Sequence, residues 1–267
     1  MAADEKPPSI ITLTTDFGEG SRYVAAMKGV ILSINPAARI VDSSHSVPPQ
    51  DVRQGAISLA ESAPFFPADT IHIAVVDPEV GSDRRIVYAR IGTQHFIAPD
   101  NGLLSRLAAA DPPSKIVVLD EPRFWMPRVS TTFHGRDIMA PVAARLSLGL
   151  SPDELGKPLA ELVPLVWREA EKVANRIAGE VIEVDSFGNL VTNITGEMLS
   201  GVPRDESVTI TCDEHVTQGI FAAYSEQPAT TLIALVGSGD RLELAIVDES
   251  AAAMLGVSVG APVAVTW

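Results

Sequence analysis

Three apolar, β-rich runs in this chain stop at acidic or amide side chains: SIITLTT at Asp16, TIHIAVV at Asp77, and FIAP at Asp100-Asn101. In an open parallel sheet, ligands bind beyond the carboxyl ends of the strands. One acidic strand end more often caps a turn, but three in one domain favour a polar pocket. In VVDPEVGSDRR, Pro78 and Gly81 force a bend that can return Arg84 to Asp77. The plainer alternative is a surface turn with a weak salt bridge, worth little in stability. The segment STTFHGRD sets His134 beside a glycine just before a helical pattern, and a helix start offers free backbone N–H groups to an anion or nucleophile. Histidine alone has an ordinary pKa near neutrality, which suits it to accept a proton. Arg136 and Asp137 read as a local ion pair or cap. On residue types and spacing alone, the chain is an α/β enzyme with a polar pocket.

Several chemistries are disfavoured. There is no G-x-G-x-x-G after a strand, no phosphate-binding G-x-x-x-x-G-K-[ST], no H-E-x-x-H and no G-x-S-x-G. His45, His72, His95, His134 and His215 are scattered without ligand spacing, and Cys212 is the only cysteine. We therefore expect no disulfide, no metal centre of His or Cys and no cofactor, with carboxylate-bound magnesium left open. Cys212 reads as a small buried strand residue. With 34 acidic against 20 basic residues the net charge is -14, which disfavours nucleic acid or an anionic membrane as partner. No apolar run approaches the roughly 20 residues of a membrane span. The polar start MAADEKPPS lacks the apolar core of a signal peptide. The expected compartment is the cytoplasm.

The elements that must position these residues follow from periodicity. The strand at 9–15 precedes a helix marked by Val24, Met27, Ile31 and Ile34, stopped by Pro36. A strand at 39–42 leads to the loop SHSVPPQD, and Asp51 is an N-cap for a helix over 52–62. The run 70–76 suits a strand covered on both faces. Strands at 86–91 and 95–98 flank Gly92-Thr93 as a hairpin, followed by a helix at 101–110, a strand at 115–119 and a helix at 136–149. Alternating strands and helices predict a Rossmann-like α/β domain with a largely parallel sheet. Beyond it, 179–185, 190–194, 207–212, 216–221, 230–236, 241–247 and 262–266 read as short strands, with brief helices near 196–200 and 250–255. That spacing fits a small β-barrel-like domain. The charged stretch 168–178 reads as a linker, so the domains are expected at 1–170 and 171–267.

The segments TTDFG, VVDPEVGSDRR, APDNGLL, STTFHGRDIMAPVAARL, VDSFGNLVTNI and GSGDRLELAIVDESAA, in this order and over nearly the whole chain, resemble one family. It is the S-adenosyl-L-methionine hydrolases, related to the fluorinase and chlorinase enzymes. The resemblance implies an N-terminal α/β domain, a smaller C-terminal β domain, and a homotrimer with active sites between the large domain of one subunit and the small domain of its neighbour. It implies a catalytic Asp77–Arg84–His134 set and a ribose-holding carboxylate at Asp16. Asp185, Phe187 and Asn189 match the small-domain segment that contacts the methionine amino group and adenine. Ser238 matches a serine near the methionine carboxylate. Two departures stand out: Glu79 where the family usually has glycine, and Gly239-Asp240 where relatives often have a bulky residue or arginine and then glycine.

The implied reaction is in-line displacement at the ribose 5′ carbon by water or hydroxide, giving adenosine and L-methionine, with adenosine expected to co-purify. Methionine leaves as a neutral thioether, so water is the difficult partner. His134 is expected to accept its proton, Arg84 to stabilise the developing hydroxide, and Asp77 to orient the set. Three alternatives remain: a halogenase acting on the same carbon, a non-catalytic sensor of S-adenosyl-L-methionine or adenosine, and an unrelated metal-dependent hydrolase whose turnover a chelator would abolish. The halogenating relatives replace the Asp-Arg-His set, and the fluorinase carries an extra loop after the segment matching Arg84 that this chain lacks.

Overall fold

A computed structural model describes residues 9–267; the N-terminal stretch through Pro8 lies outside the described residues. The chain is a mixed α/β protein with two sheets, and it divides into two compact units between Leu165 and Val166.

The first unit contains β1 (Ile10–Thr15), α1 (Arg22–Ile34), β2 (Arg39–Ser44), α2 (Val52–Ser62), β3 (Ile71–Val75), β4 (Ile86–Ile91), β5 (Gln94–Pro99), α3 (Ser105–Ala110), β6 (Lys115–Val118) and α4 (Ala140–Ser147). Its sheet runs in the order β2-β1-β3-β5-β4-β6. The β2-β1-β3-β5 pairs are parallel, while β4 is antiparallel to both β5 and β6. β1 and β3 are buried along nearly their whole length, as central strands covered on both faces must be. Ile11, Leu13, Ile73 and Val75 pack with Val24, Met27 and Ile31 of α1 and with Val142 and Ala143 of α4. Helix starts follow local chemistry. Ser21 caps α1 by accepting from the Tyr23 N–H, and Asp51 caps α2 by accepting from the Gln54 N–H at 2.9 Å. The parallel register sets Thr15 of β1 opposite Val75 of β3. Asp16 and Asp77 thus leave the sheet at the same edge.

The expected helix over 136–149 forms differently at its start. Gly135–Met139 is a π-helical turn, and regular α-helix begins at Ala140. Pro141 has no N–H to return to the Asp137 carbonyl, and the Met126 N–H takes that carbonyl instead at 2.8 Å. The expected helix from residue 101 begins at Ser105, because the Asn101 side chain is bonded to the Val76 carbonyl and the Leu103 N–H.

The second unit contains β7 (Glu171–Val173), β8 (Arg176–Val184), β9 (Leu190–Thr195), β10 (Thr209–Cys212), β11 (His215–Gln218), β12 (Leu232–Val236), β13 (Arg241–Ile246), α5 (Ala251–Leu255) and β14 (Pro262–Thr266). Its strands run β11-β10-β14-β8-β9-β13-β12, with β7 beside β8. The Thr217 hydroxyl of β11 donates to the Leu232 carbonyl of β12 at 2.8 Å. The two ends of the series therefore meet, and the sheet is nearly a closed barrel around Ile177, Val181, Leu190, Ile194, Leu242 and Val265. Cys212 is fully buried in this core, and burial pushes its thiol up to about 11.

Two expectations fail in this unit. The stretch 168–178 holds β7, whose three exposed residues carry no apolar alternation to announce a strand. Residues 196–200 form successive turns rather than a helix, and the chain leaves them at Gly201 with φ +80°. Among the described residues, no helix is long and apolar enough to cross a membrane.

Candidate active site

Beyond β3 the chain enters the bend anticipated from Pro78 and Gly81. The Val80 N–H reaches the Asp77 carbonyl at 3.3 Å and the Ser82 N–H reaches the Glu79 carbonyl at 3.0 Å. Gly81 lies at φ +87°, and a Cβ there would sit 2.5 Å from the Thr131 carbonyl oxygen. Only glycine combines that backbone with that approach. Gly81 is thus where the loop after β3 touches the loop that ends in His134. Glu79, the departure from the family pattern, is exposed, and its side chain leaves the turn intact.

The bend delivers Arg84 onto Asp77. Arg84 Nε lies 2.9 and 3.0 Å from the two carboxylate oxygens of Asp77, and Nη2 bonds to Oδ2 as well. The same Nη2 lies 2.8 Å from His134 Nδ1. The Arg84 and Asp77 side chains are only 6% and 5% exposed, so the carboxylate compensates the guanidinium almost without help from solvent. Since Arg84 donates, Nδ1 is the acceptor and the neutral ring carries its proton on Nε2. Burial first, then the Arg84 charge, lowers the His134 pKa from 6.5, against Asp77, Asp137 and a backbone hydrogen bond to Ser130. The His134 loop is anchored by Asp137, which accepts from the Ser130 N–H at 2.8 Å and pairs with Arg136 at 2.6 Å.

Asp77 and His134 line a pocket of about 390 Å³ together with Asp16, Phe17, Tyr23, Gln50 and Phe133. Asp16 accepts from the Gln50 N–H at 2.8 Å. Phe17, Tyr23 and Phe133 meet at centroid distances of 5.2–5.8 Å and form an apolar wall. Residue reasoning passed over Gln50 and the aromatic trio. Phe17 and Phe133 were marked only by adjacency to Asp16 and His134, and Tyr23 falls just off the apolar helix pattern that starts at Val24. The third acidic strand end does not join the pocket. Asp100 is held by Arg85 at 2.6 Å and by the Val163 N–H at 2.8 Å.

The small-unit residues gather around the turn between β8 and β9. Asp185 accepts from the backbone N–H groups of Phe187 and Asn189 and from Asn189 Nδ2, at 2.8–2.9 Å. Gly188, at φ +86°, packs against Ser250. Phe187 is 78% exposed. Phe187 and Asn189 line a second pocket, of about 500 Å³, with Tyr224, Asp248, Glu249 and Ser250. Ser238 lies on the exposed turn between β12 and β13, outside that pocket. Among the described residues, no three His, Cys, Asp or Glu side chains gather to hold a metal ion.

A mixed sheet with a carboxylate, guanidinium and imidazole joined beyond its strand ends, and a second, antiparallel near-barrel sheet, define a two-unit mixed α/β protein. The chain matches the SAM hydroxide adenosyltransferase N-terminal domain over residues 11–156 and its C-terminal domain over residues 179–264, and it belongs to that family. It is 38% identical to the (R)-S-adenosyl-L-methionine hydrolase of Salinispora arenicola (strain CNS-205), covering 96% of this chain and 97% of that one. Against the (R)-S-adenosyl-L-methionine hydrolase of Thermus thermophilus it is 36% identical, covering 93% and 96%. The crystal structure of an uncharacterized conserved protein from Thermotoga maritima superposes with a TM-score of 0.91 at 33% identity, covering 96% of this chain and all of that one. Fluorinases are more distant; that of Actinoplanes sp. is 29% identical over 73% of this chain and 74% of that one.

Two outcomes test this geometry. Gly81→Val is expected to destabilise the first unit by about 1–3 kcal/mol or more from the backbone conformation alone, read as a lower denaturation midpoint, whereas Glu79→Gly leaves the fold in place. In an NMR titration, His134 is expected to protonate below 6.5. Arg84→Met, by removing a nearby cation while Asp77 remains, should move that titration upward.

Proposed function

We propose that this chain hydrolyses S-adenosyl-L-methionine to adenosine and L-methionine by attack of water at the ribose 5′ carbon. The observation that carries this reading is the joined Asp77–Arg84–His134 group at a pocket it shares with Asp16, in a chain 36–38% identical to the (R)-S-adenosyl-L-methionine hydrolases of Salinispora arenicola and Thermus thermophilus. Asp16 holds the ribose hydroxyls. Asp185, Phe187, Asn189 and Ser238 take the adenine and the methionine end.

The division of labour follows from charge. Water entering the pocket is neutral and must lose a proton as it attacks. Burial and the Arg84 charge lower the His134 pKa from 6.5 and favour its neutral form, so it is available as acceptor at neutral pH. Its Nδ1 lone pair faces Arg84 Nη2, so proton uptake there requires that bond to open. Arg84 Nη1 makes no hydrogen bond to another described residue and remains free to stabilise the developing hydroxide. Asp77 orients Arg84 and cancels its charge, so the sulfonium meets no uncompensated cation. Methionine departs as a thioether and needs no acid. A halide nucleophile would instead enter as an anion past the Asp16 carboxylate of the same pocket, which weighs against the halogenase reading.

The Rossmann-like description of the first unit is part of this reading. So is a homotrimer in which the large domain of one subunit and the small domain of its neighbour complete each site. The net charge of -14 supports a small-molecule partner over nucleic acid.

Purified protein in halide-free buffer is expected to convert S-adenosyl-L-methionine to adenosine and methionine, with oxygen from ¹⁸O-labelled water in the adenosine. His134→Ala should lower turnover by about 10²–10⁴-fold. Product that forms only on adding halide, as 5′-halo-adenosine, would establish the halogenase; binding with neither product would establish a sensor. The trimer has its own check. Asp77→Asn and Asn189→Ala, each impaired alone, should regain activity when co-refolded, because mixed trimers contain sites with both halves intact.

A further inference from the structure

A buried histidine stands beside the loop that carries Asp16. His45 follows β2, and its side chain is 3% exposed. Its Nδ1 lies 2.9 Å from the Thr15 hydroxyl, and that hydroxyl also accepts from the Phe17 N–H at 3.2 Å. The Thr15 proton is therefore free to point at His45 Nδ1, which leaves the ring proton on Nε2. Nε2 lies 3.1 Å from Asp42 Oδ1, close but poorly aligned for a hydrogen bond. Asp42 in turn is held by Lys28 at 2.5 Å. The backbone of the same histidine acts on the other side of the loop, for its carbonyl accepts from the Gly18 N–H at 2.9 Å. Asp16 and Phe17, both pocket residues, lie between Thr15 and Gly18, the two points that His45 grips. Farther along the same loop, the Gln50 N–H reaches the Asp16 carboxylate.

We propose that His45 is a positioning residue that sets the Asp16 carboxylate for recognition of the vicinal ribose hydroxyls, by clamping the loop after β1 through Thr15 and Gly18. The hydroxyl–imidazole–carboxylate order of Thr15, His45 and Asp42 resembles that of a nucleophilic triad, but Thr15 is fully buried. Its hydroxyl serves the fold of the loop and does not meet substrate. A generic packing residue would affect all ligands of the pocket alike, whereas a residue acting through Asp16 affects only those that carry the two hydroxyls. This inference rests on the reading of Asp16 as the ribose-holding group.

The test is calorimetric binding of adenosine and of 2′,3′-dideoxyadenosine to the wild-type protein, His45→Ala and Thr15→Val. The wild type is expected to prefer adenosine by at least about tenfold. Both variants should lose most of that preference while binding the dideoxy analogue as the wild type does. Thr15→Val removes the hydroxyl at nearly constant volume, and it decides the matter if His45→Ala does not fold. A wild type that prefers adenosine, with variants that keep the preference or weaken on both ligands equally, would overturn the role of His45 alone. A wild type with no preference would overturn the ribose reading of Asp16 and this inference with it.

Discussion

The site depends on one buried ion pair. A guanidinium and a carboxylate at 6% and 5% exposure have lost most of their hydration, and such a pair persists only when its geometry is close to ideal and its remaining groups are bonded. Asp77 meets that requirement by accepting from both Nε and Nη2 of Arg84, and His134 takes the other side of Nη2. Removing either charge leaves the other uncompensated, which in buried pairs costs about 3–5 kcal/mol. The loop geometry around the pair is therefore under tight constraint. The partners lie seven positions apart in sequence, and a bend at Pro78 and Gly81 has to bring them back together.

That bend ties together parts of the chain that are far apart. Gly81 lies against the Thr131 carbonyl, so the loop carrying Arg84 and the loop carrying His134 share one contact surface. The second loop is fixed by Asp137, whose side chain holds Ser130 and whose carbonyl is taken by Met126. A π-helical turn results, and such turns recur at functional sites where a regular helix would aim a side chain elsewhere. The parallel pairing of β1 with β3 does the rest by bringing Asp16 to the same edge. Each link is local, and together they set Asp16, Asp77 and His134, from three different segments, around one pocket.

Much of this was legible in the sequence, for identifiable reasons. Central strands buried on both faces must be apolar throughout, so β1 and β3 announced themselves and their acidic ends stood out. Asp51 and Pro36 marked helix boundaries by chemistry that needs no tertiary context. Bonding between side chains and backbone far along the chain was not legible. Asp100 looked like Asp16 and Asp77 until Arg85 and the Val163 N–H engaged it. β7 pairs through its backbone with exposed side chains, so no hydrophobic period betrayed it. The role of Pro141 in shaping the His134 turn depends on which N–H takes the Asp137 carbonyl, and that donor, Met126, lies eleven positions upstream.

The electrostatics of the pocket also explain why an acidic lining suits this chemistry. An enzyme that binds a preformed anion needs a positive pocket, whereas one that makes hydroxide from water needs a proton acceptor and only local stabilisation of the new charge. Here the guanidinium is neutralised by Asp77 before any substrate arrives, and the imidazole is neutral. Among the described residues that line the pocket, that leaves Asp16 as the carboxylate without a cation partner. As hydroxide attacks the sulfonium, two opposite charges disappear, so the transition state is less polar than the separated reactants. A water-poor enclosure with an apolar wall favours that change, and Phe17, Tyr23 and Phe133 form such a wall beside His134. On the proposed reading the aromatic trio and the ion pair serve the same end, the one by offering the reacting centre apolar surface and the other by keeping the buried guanidinium electrically balanced.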